Sequence, residues 1–267
     1  MTIVRSVPQG MRVNLQPAYV MHSRPYRDSS ALLDVFTAEY GRVSMVARGT
    51  RRPSRRGSGV ALLQPFVPLL LSFSGRSELK TLVATEPAQG LFALRGQRMF
   101  SGMYMNELLV RLLHRNDAHP ALFAAYDQAL KALACNGAAD AVLRRFEFTL
   151  LDELGYGFDL GADGTSGQPI DATLWYRYAP GVGLVVCHDI AACPTVAFTG
   201  SDILTIASGE FDGSVRLSAK RLLREALAVH LGDTPLRSRE LFRLAGARSL
   251  PGTEQEQQET TALGDQP

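Results

Sequence analysis

Cysteine is scarce in this chain: Cys135, Cys187 and Cys193 are the whole supply in 267 residues. The number is odd and the spacings form no disulfide framework, which points to a reducing compartment. Cys187 and Cys193 stand as C-x5-C around His188, without the second close pair that a structural zinc requires. No metal is therefore expected. Long apolar runs are also missing. The longest centres on "FVPLLL", far short of the roughly 20 residues of a membrane span. Arg5 and Arg12 near the N-terminus are not followed by an apolar leader core, so a soluble cytoplasmic protein is expected. Signatures of catalysis are absent as well. There is no G-x-x-x-x-G-K-[ST] loop to cradle a nucleotide and no G-x-S-x-G elbow. "GADGTSG" is a polar turn without a lysine. His22, His114, His119, His188 and His230 lack metalloenzyme spacing, and the acids form no cluster fit for a two-metal nuclease. The expectation is a non-enzyme that needs no cofactor.

What the chain does have is an uneven charge. The overall formal charge is only +2. Residues 1–86 nevertheless hold twelve basic and five acidic side chains, and residues 251–267 hold none and four. Such asymmetry points to a polyanion-binding surface in the N-terminal part. Its focus is "ARGTRRPSRRGSG", where Arg48, Arg51, Arg52, Arg55 and Arg56 fall within nine positions with no acid among them.

Apolar residues make up 46% of the chain, enough for a sizeable core. From residue 18 to 86 they fall in five short runs, "AYVMHSR", "SALLDVF", "GRVSMVARG", "QPFVPLLLSFSG" and "ELKTLVAT", separated by turn residues. Pro65 and Pro68 belong at strand starts or edges. Five strands in about seventy residues suit a small closed barrel of the OB type, which often binds nucleic acid. The period then changes. Met105, Leu108, Leu109, Leu112 and Leu113 mark one helix face, Leu122 to Leu133 a second, and Leu143, Phe146, Leu150 and Leu154 a third, with Asp140 as its N-cap. "ATLWYRYAPGVGLVVCHD" predicts a hairpin, and further helices are expected at 201–209, 215–231 and 237–246. The fold class is α+β: an N-terminal OB-fold β-barrel followed by a mainly α-helical C-terminal domain with a small β-hairpin insertion. The expected domains are 1–86 for the barrel (1–14 flexible), 87–250 for the helices with the hairpin near 171–188, and 251–267 for a disordered acidic tail.

"HSRPYRDSSALLDVFTAEYGRVSMVARG" and "LQPFVPLLLSFSGRSELKTL" resemble the N-terminal OB-fold of the RecO family, the bacterial recombination mediators. "YMNELLVRLL", "LRRFEFTLLDELGYG", "YRY", "AKRLLREAL" and "LRSRELFRL" extend the resemblance in order over about residues 16–246. It implies binding of single- and double-stranded DNA, annealing of complementary strands, contact with the tail of single-stranded-DNA-binding protein (SSB) and with RecR, and assistance to RecA downstream. It also implies a monomer associated with the nucleoid. Two rivals remain open: an adaptor acting through SSB and RecR with weak DNA binding, and an OB-fold RNA-binding protein.

Arginine carries fixed charge and forks onto phosphate, so Arg48, Arg51, Arg52, Arg55 and Arg56 are the expected DNA contacts, extended by Arg42 and Lys80. Arg24, Arg27 and Arg76 have Asp28 and Glu78 near them in sequence. Tyr26 and Tyr40 flank turns and are candidate stacking platforms, whereas Phe36, Phe66 and Phe73 read as core. Arg216, Lys220 and Arg224 recur at i, i+4 and i+8 with Arg221 beside them, an expected DNA path, partner dock or solvent face balanced by Glu225 and Glu240. Arg144 and Arg145 next to "FEFTLL" are the candidates for the acidic SSB tail. The competing reading has them bridge Glu147 or Asp140.

Overall fold

The structure is a computed structural model that describes residues 12–49, 62–88, 90, 92–188 and 197–242. Arg51, Arg52, Arg55, Arg56, Arg243, Arg248, Cys193 and the expected tail 251–267 lie outside these residues.

The five apolar runs form five strands: β1 (Val13–Tyr26), β2 (Ser30–Thr37), β3 (Gly41–Ala47), β4 (Leu69–Ser74) and β5 (Leu79–Pro87). They close in the order β1-β2-β3-β5-β4, with β4 returning to β1. All neighbours are antiparallel except β3 and β5, where Ser44 faces Leu79 in parallel register. This is an OB-like barrel. Alternation along β2 and β3 sends Leu33, Val35, Val43 and Met45 inward, fully buried with Leu71 and Phe73. The register between β1 and β2 shifts between Val20 and His22, and such a bulge bends a long strand round a small barrel. Pro65 and Pro68 precede β4, where no ladder donor is missed.

The helices are α1 (Gln97–Leu112), α2 (Pro120–Ala134), α3 (Ala139–Glu153), α4 (Gly200–Ala207) and α5 (Val215–Leu231). The hairpin strands β6 (Trp175–Ala179) and β7 (Gly183–Val186) gain a third partner, β8 (Ala197–Thr199), in the order β7-β6-β8. The insertion is therefore a three-stranded sheet. One reason β8 escapes pattern reading is its three-residue length, too short for any period. Asp140 does not cap α3. Ala138 holds the N-cap position without a side-chain bond, and Asp140 lies in the first turn. Its carboxylate instead accepts from Arg216 at 3.0 Å. Gly155, at φ 77°, does end α3 as its sequence suggests.

The barrel and helices share a core. Tyr19, Met21 and Phe36 leave the barrel to pack with Leu108, Leu122, Tyr126 and Phe146. Polar bolts cross the same seam. The Tyr19 hydroxyl donates to Asp127 on α2 at 2.6 Å, and Asn106 Nδ2 donates to the Met21 carbonyl at 3.0 Å. These bonds in a low-dielectric seam fix register as well as adding stability.

Candidate nucleic-acid interface and partner groove

Four strand ends converge at one end of the barrel. The turn from β1 to β2, the end of β3 and the start of β5 enclose a pocket of about 200 Å³. Tyr26, Arg27, Ser30, Val46, Arg48, Leu79, Lys80 and Thr81 line it. Three of these are cations and none is an acid, so the pocket attracts anions. Arg48 is exposed and is the first arginine of the arginine-rich stretch that follows β3 in sequence. Arg27 adopts a left-handed φ of 51°, and its guanidinium lies over the Tyr26 ring at 5.2 Å. Glu78, which could have neutralised this end, instead faces Arg115 at 3.9 Å.

Two barrel candidates have other work. Arg42 reaches across to the C-terminal end of α1. It donates to the carbonyls of Val110 and Leu113 and pairs with Asp34 at 3.4 Å. Those last carbonyls of a helix lack intrahelical donors and carry the negative end of its dipole. Arg42 is thus a cap for α1 and leaves the proposed DNA contacts. Tyr40 is also withdrawn, because it is buried edge-on against Phe73 at 5.8 Å. Tyr26 remains accessible at the pocket wall. Arg27 thus lines the pocket although Asp28 follows it in sequence.

The paired arginines of α3 have opposite fates. Arg144 is 4% exposed and bridges Glu147, itself 1% exposed, at 2.5 Å. The Tyr104 hydroxyl donates to the same carboxylate at 2.6 Å. Burial pushes the Glu147 carboxyl up, and Arg144 pulls it back. Arg144 is therefore a structural ion pair with no exposed face for a partner. Arg145 is exposed, packs over the Phe211 ring at 5.7 Å and borders a groove of about 260 Å³ between α2 and α3. Ala125, Ala129, Ala132, Val142 and Phe146 give that groove an apolar floor, with Gln128 and Thr149 at its edge. Phe148, the other expected neighbour, turns instead toward Phe158 and Phe211.

The α5 stripe also divides. Arg216 pairs with Asp140. Arg221 lies over Phe198 at 4.4 Å and donates to the Ala197 carbonyl, pinning β8. Lys220 and Arg224 are exposed. Among the described residues no group of three His, Cys, Asp or Glu side chains could hold a metal, and no helix is long and apolar enough to cross a membrane.

Two networks escaped sequence reading. Asp163 accepts from the Ser166, Val186 and Thr165 amides and the Ser166 hydroxyl, which holds its carboxyl at about 2. It ties the "GADGTSG" turn to β7. Glu107 accepts from the Arg237 and Ser238 amides at 2.9 Å each, capping the helical turn that begins at 238. The only advance signal for Asp163 was its Asx-turn setting.

Residues 11–91 match the family described as Recombination protein O N terminal, and residues 94–240 match Recombination protein O C terminal. DNA repair protein RecO of Stutzerimonas stutzeri is 49% identical over 85% of this chain and 92% of its own length. The protein of the same name from Nitrosococcus oceani is 46% identical over 87% and 94%, and that from Haemophilus influenzae 43% over 87% and 97%. With both family segments in order on one OB-like barrel and one helical body, the chain belongs to the recombination protein O family.

Proposed function

We propose that this protein binds and anneals DNA in recombinational repair, without covalent chemistry, and helps RecA load onto SSB-coated single strands together with RecR. The observation that carries the reading is the acid-free cationic pocket at the barrel end, from which the arginine-rich stretch departs. Arg48 and Lys80 belong to that pocket, and Arg51, Arg52, Arg55 and Arg56 follow Arg48 in sequence. Cations without interspersed acids bind phosphate by counterion release and read no sequence. Strand annealing needs this kind of contact, because both strands must be held whatever their bases.

The α2–α3 groove supports the contact with SSB. A short acidic tail ending in an apolar residue needs an apolar floor and a cation at the rim, which Phe146 and Arg145 provide. Lys220 and Arg224 are left as a secondary cationic face for DNA or a partner. This groove also favours the second reading, an adaptor whose DNA binding is weak. An annealing assay with bare and SSB-coated complementary oligonucleotides tests both. Annealing of both substrates is expected. Annealing of neither, with intact binding of an SSB-tail peptide, would favour the adaptor. Tighter binding to RNA than to DNA of the same sequence would favour an RNA-binding role.

A further inference from the structure

We infer that the barrel-end pocket is a nucleotide subsite selective for single strands, with Lys80 holding a phosphate and Tyr26 stacking its base. The inference rests on the DNA-binding reading of the barrel and specifies what that pocket takes. Lys80 is the first observation. It lines the pocket, yet it is only 5% exposed. Among the described residues its one hydrogen-bond acceptor is the Gly75 carbonyl at 3.3 Å, and no carboxylate there forms an ion pair with it. An ammonium has three donors, and a buried charge is costly unless it is paired. An anion entering the pocket would thus find donors on Lys80 beyond the one that Gly75 accepts.

The second observation is the pocket's shape and lining. About 200 Å³ is the scale of a small group such as a phosphate with part of its sugar. The Ser30 and Thr81 hydroxyls can bond sugar or phosphate oxygens. Arg27 already lays a planar group over Tyr26 at 5.2 Å. A base is planar too. In taking that place it would release the Arg27 guanidinium to the phosphate. Because Lys80 is recessed, the phosphate must enter the pocket, and its base must leave any stack to reach Tyr26. In a duplex that extrusion costs a few kcal/mol, whereas in a single strand the base is already available.

The test measures affinity of the full chain for oligothymidylate and for a mixed-sequence duplex, by fluorescence anisotropy at one salt concentration. Lys80→Met keeps the buried stem and removes the charge. It should weaken oligothymidylate by about tenfold or more, the scale of a charge-assisted hydrogen bond, and the duplex by about twofold or less. Tyr26→Leu should act likewise, since base stacking on an aromatic is worth about fivefold to a hundredfold per base. Arg27→Ala, at an exposed position, keeps the test valid should Lys80→Met fail to fold. Thymidine monophosphate should compete with oligothymidylate better than inorganic phosphate does. Equal losses on both DNA forms, or none in any folded variant, would overturn the subsite. The quadruple change of Arg51, Arg52, Arg55 and Arg56 to Ala separates the two readings. If it weakens DNA while the pocket variants do not, only the subsite fails. If it too is silent, the barrel reading fails.

Discussion

Arg144 and Arg145 are adjacent in sequence, and substituting each should break a different property. Arg144→Met leaves Glu147 in the core with Tyr104 as its described donor. Removing one member of a buried pair costs about 3–5 kcal/mol, because the survivor stays buried and uncompensated. For a chain of this size that is a fall in Tm of roughly 6–20 °C, at about 2–4 °C per kcal/mol. The loss should depend on pH, and its sign is fixed. Burial already raises the folded-state pKa of Glu147 above its unfolded value, and Arg144 is the largest influence lowering it. Without Arg144 the carboxyl rises further, so the variant retains most stability at acid pH and loses it as pH climbs through that raised value. The Tm deficit against the parent should therefore be smaller at pH 5 than at pH 8. Arg144→Met with Glu147→Leu should recover most of the loss. Arg145→Glu behaves differently. It is exposed, and among the described residues its guanidinium meets the Gly209 carbonyl and the Phe211 ring, so stability should change by about 0.5 kcal/mol or less. A synthetic SSB-tail peptide should bind it about tenfold or more weakly by isothermal titration. Differential scanning calorimetry and titration on both variants decide the matter. An unchanged Tm in Arg144→Met would refute the buried pair, and unaltered peptide binding in Arg145→Glu would remove the groove from tail recognition.

Changing Arg51, Arg52, Arg55 and Arg56 to Ala should lower the log–log salt slope for single strands by about 3, at roughly 0.7 per phosphate contact; an unchanged slope excludes the stretch from the site. Arg42→Ala should destabilise the protein by about 1.5–3 kcal/mol, the worth of charge-assisted bonds to carbonyls, while the salt slope stays as in the parent; a reduced slope would return Arg42 to the DNA contacts. Asp163→Ala should cost about 1.5–3 kcal/mol at neutral pH. Asp163 has a depressed folded pKa of about 2, so its contribution is present above the ordinary carboxylate range and fades as pH falls toward 2. Urea unfolding at pH 7 and pH 3 should show the gap between variant and parent narrowing with acid.

Periodicity carried the fold a long way, because burial imposes it locally. The alternation of Leu33, Val35, Val43 and Met45 and the helical stripe of Leu143, Phe146 and Leu150 each report a face that one partner surface buries. What local pattern cannot carry is the destination of a long charged side chain. Arg42 lies on a barrel strand, and its target carbonyls are at Val110 and Leu113, about seventy positions on. Nothing near Arg42 in sequence signals an uncapped helix end. Arg144 is a milder case. Its i, i+3 relation to Glu147 was visible, but Tyr104, which makes burial of that pair tolerable, comes from another helix. Arg216 and Arg221 likewise find Asp140 and Ala197 only once the fold exists. Of the cations that a charge count assigns to one binding face, the fold thus reserves several for its own joints. Others stay open to a ligand: Arg27, Arg48 and Lys80 line the barrel-end pocket, Arg145 borders the groove, and Lys220 and Arg224 are exposed on α5.

The joints themselves bear on how the two sites work together. Tyr19 donates to Asp127, whose sequence neighbour Gln128 lines the groove. Arg42 fixes β3 to the end of α1, and β3 leads through Val46 to Arg48 at the barrel-end pocket. The groove thus begins one residue from a bolt between barrel and helices, and the pocket shares strand β3 with another, over a seam packed by Tyr19, Met21 and Phe36. The seam is both apolar and hydrogen-bonded, which joins the barrel to the helices. On the proposed reading, capture of an SSB tail in the groove then presents the SSB-bound strand to the barrel at a raised effective concentration. Neither contact needs to be tight alone. On that reading a weak groove and a salt-sensitive pocket on one chain would concentrate the protein on coated strands.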